Sequence, residues 1–527
     1  MNRLKFNEKN LYACPKEIIK PKYNLELMKQ TTCEHPIWLH FGAGNIFRGY
    51  IARLQDDLLN LNLTDHGIIA AETFDEEIID KIYTPYDNLV LLTTLYADKE
   101  PQFRGIGSIA EGVQASNTKR LEEIITDPSL QMLSFTITEK GYNLYQLTGE
   151  FLGVVSEDIA HGPTNPKHVM SIVTSLLYQR FLKGAHPLAV VSMDNCSHNG
   201  EKLKKSILTI AKQWYEKTFV NQEFIQYLEN EEKITFPWSM IDKITPRPAL
   251  SIAEHLHRLG LEEMSPITTA KKTFIAPFVN AEECEYLVIE DAFPNGRPPL
   301  ERVGVYFTTR EIVNQVETMK VTTCLNPLHT ALAIYGCLLG YTSIAEEMKN
   351  PALKNLIEGI GAEGMKVVVH PQIIDPKKFL EEVITKRLPN PSIPDTPQRI
   401  ATDTSQKIPV RYGETMKAYM ANSDLSLEEL KYIPMAIAGW CRYLLGRDDA
   451  HKPFQRSADP MLGDLSNLLK NVIETNEYHG ELKAILKNEK IFGLDLTQTI
   501  LYSSIENDFK YMLEKGAIEK LLKQHIS

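Results

Sequence analysis

Apolar residues run along this chain in two rhythms. Up to about residue 310, apolar runs of strand length at 37–41, 67–73, 88–96, 131–138 and 187–193 alternate with helical segments at 46–60, 165–183 and 199–215. In 46–60 the recurring positions are Phe47, Tyr50 with Ile51, Leu54 and Leu58, which share one helix face. Strands that alternate with crossover helices predict a mostly parallel sheet covered on both sides. Segments 229–250 and 265–310, rich in proline and aromatics, break both rhythms and read as irregular. Beyond 311 the strand rhythm fades. Helical spacing there predicts helices at 326–348, 350–361, 376–387, 426–446, 460–474, 480–488 and 497–525. Ser426 and Glu429 have the spacing of a capping box, in which each side chain satisfies an orphan amide near the other. The prolines of 388–397 predict an ordered loop or linker, and no internal repeat or low-complexity tract is present. The expected architecture is α/β, with a mostly parallel sheet domain over 1–285 followed by a mainly α-helical domain over 286–527.

The stretch 317–341 concentrates polar chemistry ahead of an apolar helix. Lys320, Asn326 and His329 precede a run in which Leu328, Ala331, Leu332, Tyr335, Leu338 and Leu339 recur at three- and four-residue steps. A base, an amide donor and an imidazole at the mouth of a rigid helix suit an alcohol–carbonyl interconversion. The base takes the hydroxyl proton while neutral donors steady the oxygen. The same residues also suit an ordinary polar helix start.

Composition narrows the setting. A chain of 527 residues exceeds what one core usually organises, so two domains are expected. Its net charge of −11 argues against a nucleic-acid surface, which needs a concentrated basic face, but leaves room for a locally basic pocket. Seven scattered cysteines with no CxxC pair suit a reducing cytoplasm and supply no zinc or disulfide framework. The first residues carry no apolar signal-peptide segment, and the longest apolar run is too short for a bilayer. A cytoplasmic protein with no membrane or nucleic-acid partner is expected.

The segment 37–57 reads as strand, glycine turn and helix. Gly42 permits the tight turn, and Gly44 lets the backbone approach a pyrophosphate, which the amides and dipole of the helix favour. Phe47 stands where a third small residue is usual. The second strand ends in Glu72, placed to accept the ribose hydroxyls of an adenosine and to repel the extra phosphate of NADP. The first domain is therefore Rossmann-like and NAD is the expected cofactor. Its candidate contacts are Gly42, Gly44, Asn45, Phe47, Arg48 and Glu72.

Eight motifs, HFGAGNIFRGY, SFTITEKGY, VVSMDNCSHNG, ITFPWSMIDKITP, VIEDAFPNGRP, KVTTCLNPLH, RIATDTSQKIP and AIAGWCRYLLG, follow one another along the chain. In this order they resemble the polyol-specific long-chain dehydrogenases, the mannitol dehydrogenase family, over nearly the whole length. FTITEKGY, FPWSMIDKITP and VIEDAFPNGRP look most like its fructuronate reductase branch. The resemblance implies metal-independent hydride transfer between NAD(H) and a hexuronate ketone or aldonate alcohol. A mannitol 2-dehydrogenase or tagaturonate reductase is the alternative within the family, and a catalytically silent NAD-binding protein the alternative outside it. The implied partner is a small sugar acid or polyol, on a monomer or weak homo-oligomer.

By the same resemblance Lys320 is the general base in oxidation and the acid in reduction. Asn326 and Asn195 are paired amides on the substrate oxygen, and His329 orients that oxygen or a neighbouring hydroxyl. Arg399 and Lys407, on the loop beyond the prolines, face the substrate, where a guanidinium can grip a carboxylate with two parallel hydrogen bonds. Asp194, Glu139 and Glu317 are further substrate-side candidates, and no metal ligands are expected. The family pattern sets the lysine five residues before the asparagine and eight before the histidine. Here the separations are 326 − 320 = 6 and 329 − 320 = 9. At 100° per residue, nine steps put Lys320 and His329 about 180° apart on a straight helix. A bulge between 320 and 326, a helix that starts at Asn326, or a lysine that is not the base would each account for this.

Overall fold

The computed structural model describes residues 3–524. They form two compact units, one of the residues up to Leu95 with Lys99–Asn314 and one of Tyr96–Asp98 with the residues from Gln315 onward.

The first unit is built on six parallel strands, β1 (Trp38–Phe41), β2 (Ile68–Glu72), β3 (Ile109–Gln114), β4 (Met132–Phe135), β5 (Leu188–Ser192) and β6 (Ile234–Thr235). Their order across the sheet is β3-β2-β1-β4-β5-β6, the doubly wound arrangement that binds dinucleotides where the order reverses, beside β1. Side chains alternate between the faces, as strand geometry requires. Leu39, Phe41, Ile69, Leu133 and Val190 enter one core layer, while Trp38, Ala70, Met132 and Val191 enter the other. With both faces covered, the strands read as continuous apolar runs, which is why they were legible.

Two expectations change in this unit. The strand at 88–96 exists as Val90–Leu95, but in a separate four-stranded sheet, antiparallel to Gln102–Ile106 and parallel to Phe278–Glu282. The segments expected to be irregular contain strands. Ser239–Asp242 pairs with Tyr286–Glu290, which pairs in turn with Tyr306–Thr308. These backbone hydrogen bonds hold residues beyond 286 in the first unit, so the units divide after Asn314 rather than at the expected 285/286 boundary.

In the second unit the helix Asn326–Leu339 is central. Eleven of its fourteen residues are buried, so it is enclosed on more than the one face its spacing predicts. It packs against Pro351–Met365, Pro397–Ile400 and Tyr432–Tyr443. The helix expected over 326–348 breaks at Gly340, whose left-handed φ of +79° ends the first piece before Ile344–Glu347. Ser426 and Glu429 do form a capping box, on a short 3₁₀ turn: the Glu429 carboxylate accepts from the Ser426 amide at 2.9 Å. The segment beyond the prolines, read as a loop, is helical at Pro397–Ile400 and Thr404–Ile408. Pro397 suits a first turn, and the Thr396 hydroxyl accepts from the Arg399 amide at 3.3 Å. Among the described residues of the two units, five single π-turns interrupt the helices, at Phe47–Ile51, Ile79–Tyr83, Lys320–Cys324, Val383–Arg387 and Pro409–Gly413.

Candidate active site

In the first unit the chain leaves β1 through Gly42 at φ +105°, with its amide bonded to the Ala71 carbonyl at 2.9 Å. A Cβ on Gly42 would lie 2.2 Å from the Thr136 carbonyl oxygen, so only glycine fits. At Gly44 the same test meets no atom within 4 Å. The protein needs the first glycine, whereas the second keeps open space over the first helical turn, whose amides have no intrahelical partner. That space and those donors fit a pyrophosphate.

Glu72 closes the turn from behind. One carboxylate oxygen accepts from the Ala43 amide at 2.8 Å, the other from the Phe74 and Asp75 amides at 2.8 and 3.1 Å. Burial pushes its pKa up, and these amides oppose the shift. Three of roughly four acceptor directions are thus used within the protein, leaving about one for a ribose hydroxyl. A cavity of about 660 Å³ opens beside the same strand end, lined in part by Thr73, Glu76, Ala115 and Ser116. Its size is in the range of small-molecule sites.

Phe47 lies under the turn, fully buried and stacked on the His40 ring at 4.2 Å, in the π-turn that opens the helix. His40 bonds Ser134 and Thr136 at 2.6 and 2.8 Å, and burial lowers its pKa to about 3, which keeps it neutral. Arg48 faces inward. It donates to the Ala276 carbonyl at 2.8 Å and to the Asn45 side chain at 2.9 Å, so both residues brace the turn. Tyr83, which sequence reasoning missed, donates to the Ala43 carbonyl at 2.9 Å.

At the carboxyl end of β5, Asp194 is buried and accepts from the Ile137 and Thr138 amides, each at 2.9 Å, and from the Tyr142 hydroxyl at 2.6 Å. It pins the segment that follows β4. Glu139, on that segment, forms an exposed ion pair with Lys202. Asn195 is exposed beyond β5, and Asn199 holds the turn through Ser239 and the Asp194 carbonyl.

In the second unit, Lys320 opens a π-turn closed by the Leu325 amide on the Lys320 carbonyl at 3.1 Å. A new helix starts at Asn326 after Leu325, whose φ of −130° and ψ of −60° are not helical. The extra residue is therefore taken up by a bulge and a fresh helix start together, two of the three arrangements left open. Single π-turns inserted in helices recur at functional sites. Lys320 is buried, 4 % exposed. Glu317 lies one turn earlier in Arg310–Met319 and is half-buried.

His329 Nε2 lies 3.6 Å from an Asp395 oxygen, too far for a hydrogen bond, and has no hydrogen-bond partner among the described residues. Burial lowers the His329 pKa to about 4; Arg411, Arg399 and Arg387 push the same way and Asp395 opposes them. The imidazole is therefore neutral near pH 7, a donor or acceptor rather than a charge. Arg399 is exposed and ion-paired with Asp395. Lys407 donates to the Ile400 carbonyl at 3.3 Å and to the Thr402 carbonyl, and burial lowers its pKa. Arg387, Asp395 and Arg411 were not singled out from the sequence. Their signal is four-residue spacing, Asp395 to Arg399 and Lys407 to Arg411. Among the described residues no group of three or more His, Cys, Asp or Glu side chains is placed to hold a metal ion, and no helix is long and apolar enough to cross a membrane.

The chain is similar to known proteins over nearly its whole length. Residues 36–302 match the family model of the mannitol dehydrogenase Rossmann domain, and 313–513 that of the mannitol dehydrogenase C-terminal domain. A D-mannonate oxidoreductase of Thermotoga maritima is 50% identical over 515 residues, covering 96% of this chain and 95% of that protein. A substrate-free D-sorbitol dehydrogenase structure superposes with a TM-score of 0.81 at 25% identity, covering 99% of this chain and all of that one. Pseudomonas fluorescens mannitol 2-dehydrogenase, solved with NAD and D-mannitol, gives 0.70 at 27% identity, covering 99% of each chain.

Proposed function

The chain belongs to the mannitol dehydrogenase family of oxidoreductases, and we propose that it is an NAD-dependent D-mannonate oxidoreductase, interconverting D-mannonate and D-fructuronate. The observation that carries this reading is the half-identity to the Thermotoga enzyme along nearly the full length. The cluster of Arg387, Arg399, Arg411 and Lys407 near His329 supports an acidic substrate over a neutral polyol.

NAD, when bound, takes the hydride in oxidation and returns it as NADH in reduction. The Gly42–Gly44 turn leaves space for the pyrophosphate, and the carboxylate of Glu72 disfavours a 2′-phosphate. Lys320 removes the hydroxyl proton of the alcohol and gives it back to the ketone oxygen. Lys320 is buried, which keeps bulk water from competing for the proton it exchanges with the substrate. The Asn326 amide donates to the oxygen on which charge develops. His329, neutral, holds a substrate hydroxyl without adding charge. Asn195 keeps the role the family resemblance gives it. Its neighbour Asp194 and the nearby Glu139 are given positioning and surface roles by their contacts.

Steady-state rates of NADH and NADPH oxidation with D-fructuronate, D-tagaturonate and D-fructose test the reading. NADH with D-fructuronate is expected to be fastest by at least about tenfold. A preference for fructose would point to a polyol dehydrogenase. NADH binding with no turnover of any of the three would point to a silent cofactor-binding protein.

A further inference from the structure

The buried arginines of this chain fall into two kinds. Arg180 donates to five backbone carbonyls, those of Ile125, Asp127, Leu130, His186 and Pro187. Arg442 donates to three, those of Met512, Arg447 and Asp448. These guanidiniums serve the fold, because carbonyls satisfy the fork. Arg411 differs. Half-buried, it makes one hydrogen bond, to the neutral Thr330 hydroxyl, and among the described residues no carboxylate lies within ion-pair distance of it. Its remaining nitrogens are not sealed inside the protein, unlike Arg48 Nε.

Its position is set by two anchors. The Pro409–Gly413 π-turn packs against the Lys320–Cys324 π-turn and against the helix Asn326–Leu339. Tyr412 donates to the Pro327 carbonyl at 2.9 Å, and Arg411 reaches Thr330, the residue after His329. Around the imidazole stand Arg387, Arg399 and Arg411, with the Asp395 carboxylate facing it, and Arg399 already engages that carboxylate. Lys407, whose neighbours include Arg411 and Arg399, is turned onto carbonyls. An incompletely compensated guanidinium that reaches accessible space calls for an anion, and its planar fork matches a carboxylate.

We propose that Arg411 is the specificity-determining residue for the acid end of the substrate, receiving the sugar-acid carboxylate while Thr330 holds the guanidinium beside His329. This rests on the reading that the substrate is a sugar acid. It moves the main carboxylate grip from the exposed, Asp395-paired Arg399 to Arg411.

The test uses the full-length enzyme with NADH, in wild-type, Arg411→Gln and Arg411→Lys forms. For D-fructuronate, KM is expected to rise about 100-fold in Arg411→Gln, with kcat within about threefold. NADH affinity and the thermal midpoint should hold, and Arg411→Lys should recover part of the KM. An unchanged KM overturns the proposal. So does a KM rise accompanied by an equal loss of NADH affinity or thermal midpoint, which marks a structural residue. Should wild-type enzyme prefer a neutral ketose, the substrate reading fails, and inhibition of that reaction by D-mannonate becomes the readout. Inhibition that disappears in Arg411→Gln supports the carboxylate site. Absent inhibition, or inhibition kept in the variant, overturns it.

Discussion

The two helix entrances to which the proposed function assigns chemistry handle charge in opposite ways. At the glycine turn, most of the polar groups are satisfied internally, with Arg48 Nε the exception. Glu72 takes three amides, Arg48 takes a carbonyl and an amide oxygen, and Tyr83 takes the Ala43 carbonyl. What is left for a ligand is space above Gly44 and the free amides of a helix start. At the entrance of Asn326–Leu339, side-chain cations gather around His329, and Asp395 is ion-paired with one of them, Arg399. A backbone anion site needs room, whereas a side-chain anion site needs charge kept uncancelled. Both entrances begin with a π-turn, and the remaining three π-turns carry Tyr83, Arg387 and Arg411 toward the same two regions. A second glutamate contrasts with Glu72. Glu347, beside Gly336 toward the far end of the helix Asn326–Leu339, is fully buried and neither of its carboxyl oxygens has a hydrogen-bond partner among the described residues.

This contrast can be broken, most strongly at Lys320. Lys320→Ala should lower kcat by about 10³-fold, the usual scale of a lost general acid–base. NADH affinity by fluorescence titration should stay within about twofold. Full turnover in that variant would remove the second entrance from the chemistry.

Glu347 gives the next largest effect. Burial raises its pKa to about 9, so the folded protein holds a proton that the unfolded chain loses above its ordinary value of 4.5. Stability from this group is therefore lost as pH rises from 4.5 toward 9, by about 1.4 kcal/mol per unit, reaching about 3 kcal/mol at pH 7. Thermal melts of Glu347→Gln between pH 5 and 8 should lack that slope. An unchanged slope would mean the carboxyl finds partners that Glu72 alone was expected to have.

The glycines sharpen the other side. Gly42→Ala meets the Thr136 carbonyl and an unfavourable φ, and should destabilise by about 1–3 kcal/mol. Gly44→Ala should leave the thermal midpoint unchanged and weaken NADH binding about tenfold, because its Cβ enters only the ligand's space. Equal effects from both would deny that the turn keeps room for a cofactor.

The smallest effect belongs to His329. Its folded pKa of about 4 lies below the ordinary 6.5, so the stability it contributes is present above 6.5 and lost as pH falls toward 4. Between pH 6.5 and 5.5 the loss is about 1.4 kcal/mol at most. Over 4.5–6.5 this slope opposes that of Glu347, so wild-type melts should be nearly flat there. His329→Asn should expose the Glu347 slope, and Glu347→Gln the histidine slope. A flat curve in either variant would remove that residue's partner from the balance.

How far these regions could be read in advance follows from the distances over which each signal acts. The parallel strands, the glycine turn, Glu72 and the Ser426–Glu429 cap depend on neighbours within a few residues, and burial on both faces writes them as unbroken apolar runs. Lys320, Asn326 and His329 were legible as a local motif, but the π-turn that absorbs the extra residue was not, since no side-chain period announces it. The strands between 239 and 308 were hidden because their pairing partners lie tens of residues away and their prolines mimic loops.

The sequence by itself determined the sheet, the helical second half and the positions where a dinucleotide and a proton-transfer group could be held. Only the tertiary structure decided which charges are answered. It turned Arg48 and Asp194 inward, gave Arg399 to Asp395, and left Arg411 beside Thr330 without a carboxylate. The physical reason is that a hydrogen-bond or ion-pair partner is a matter of proximity, and proximity between distant segments is created by folding rather than written in local order.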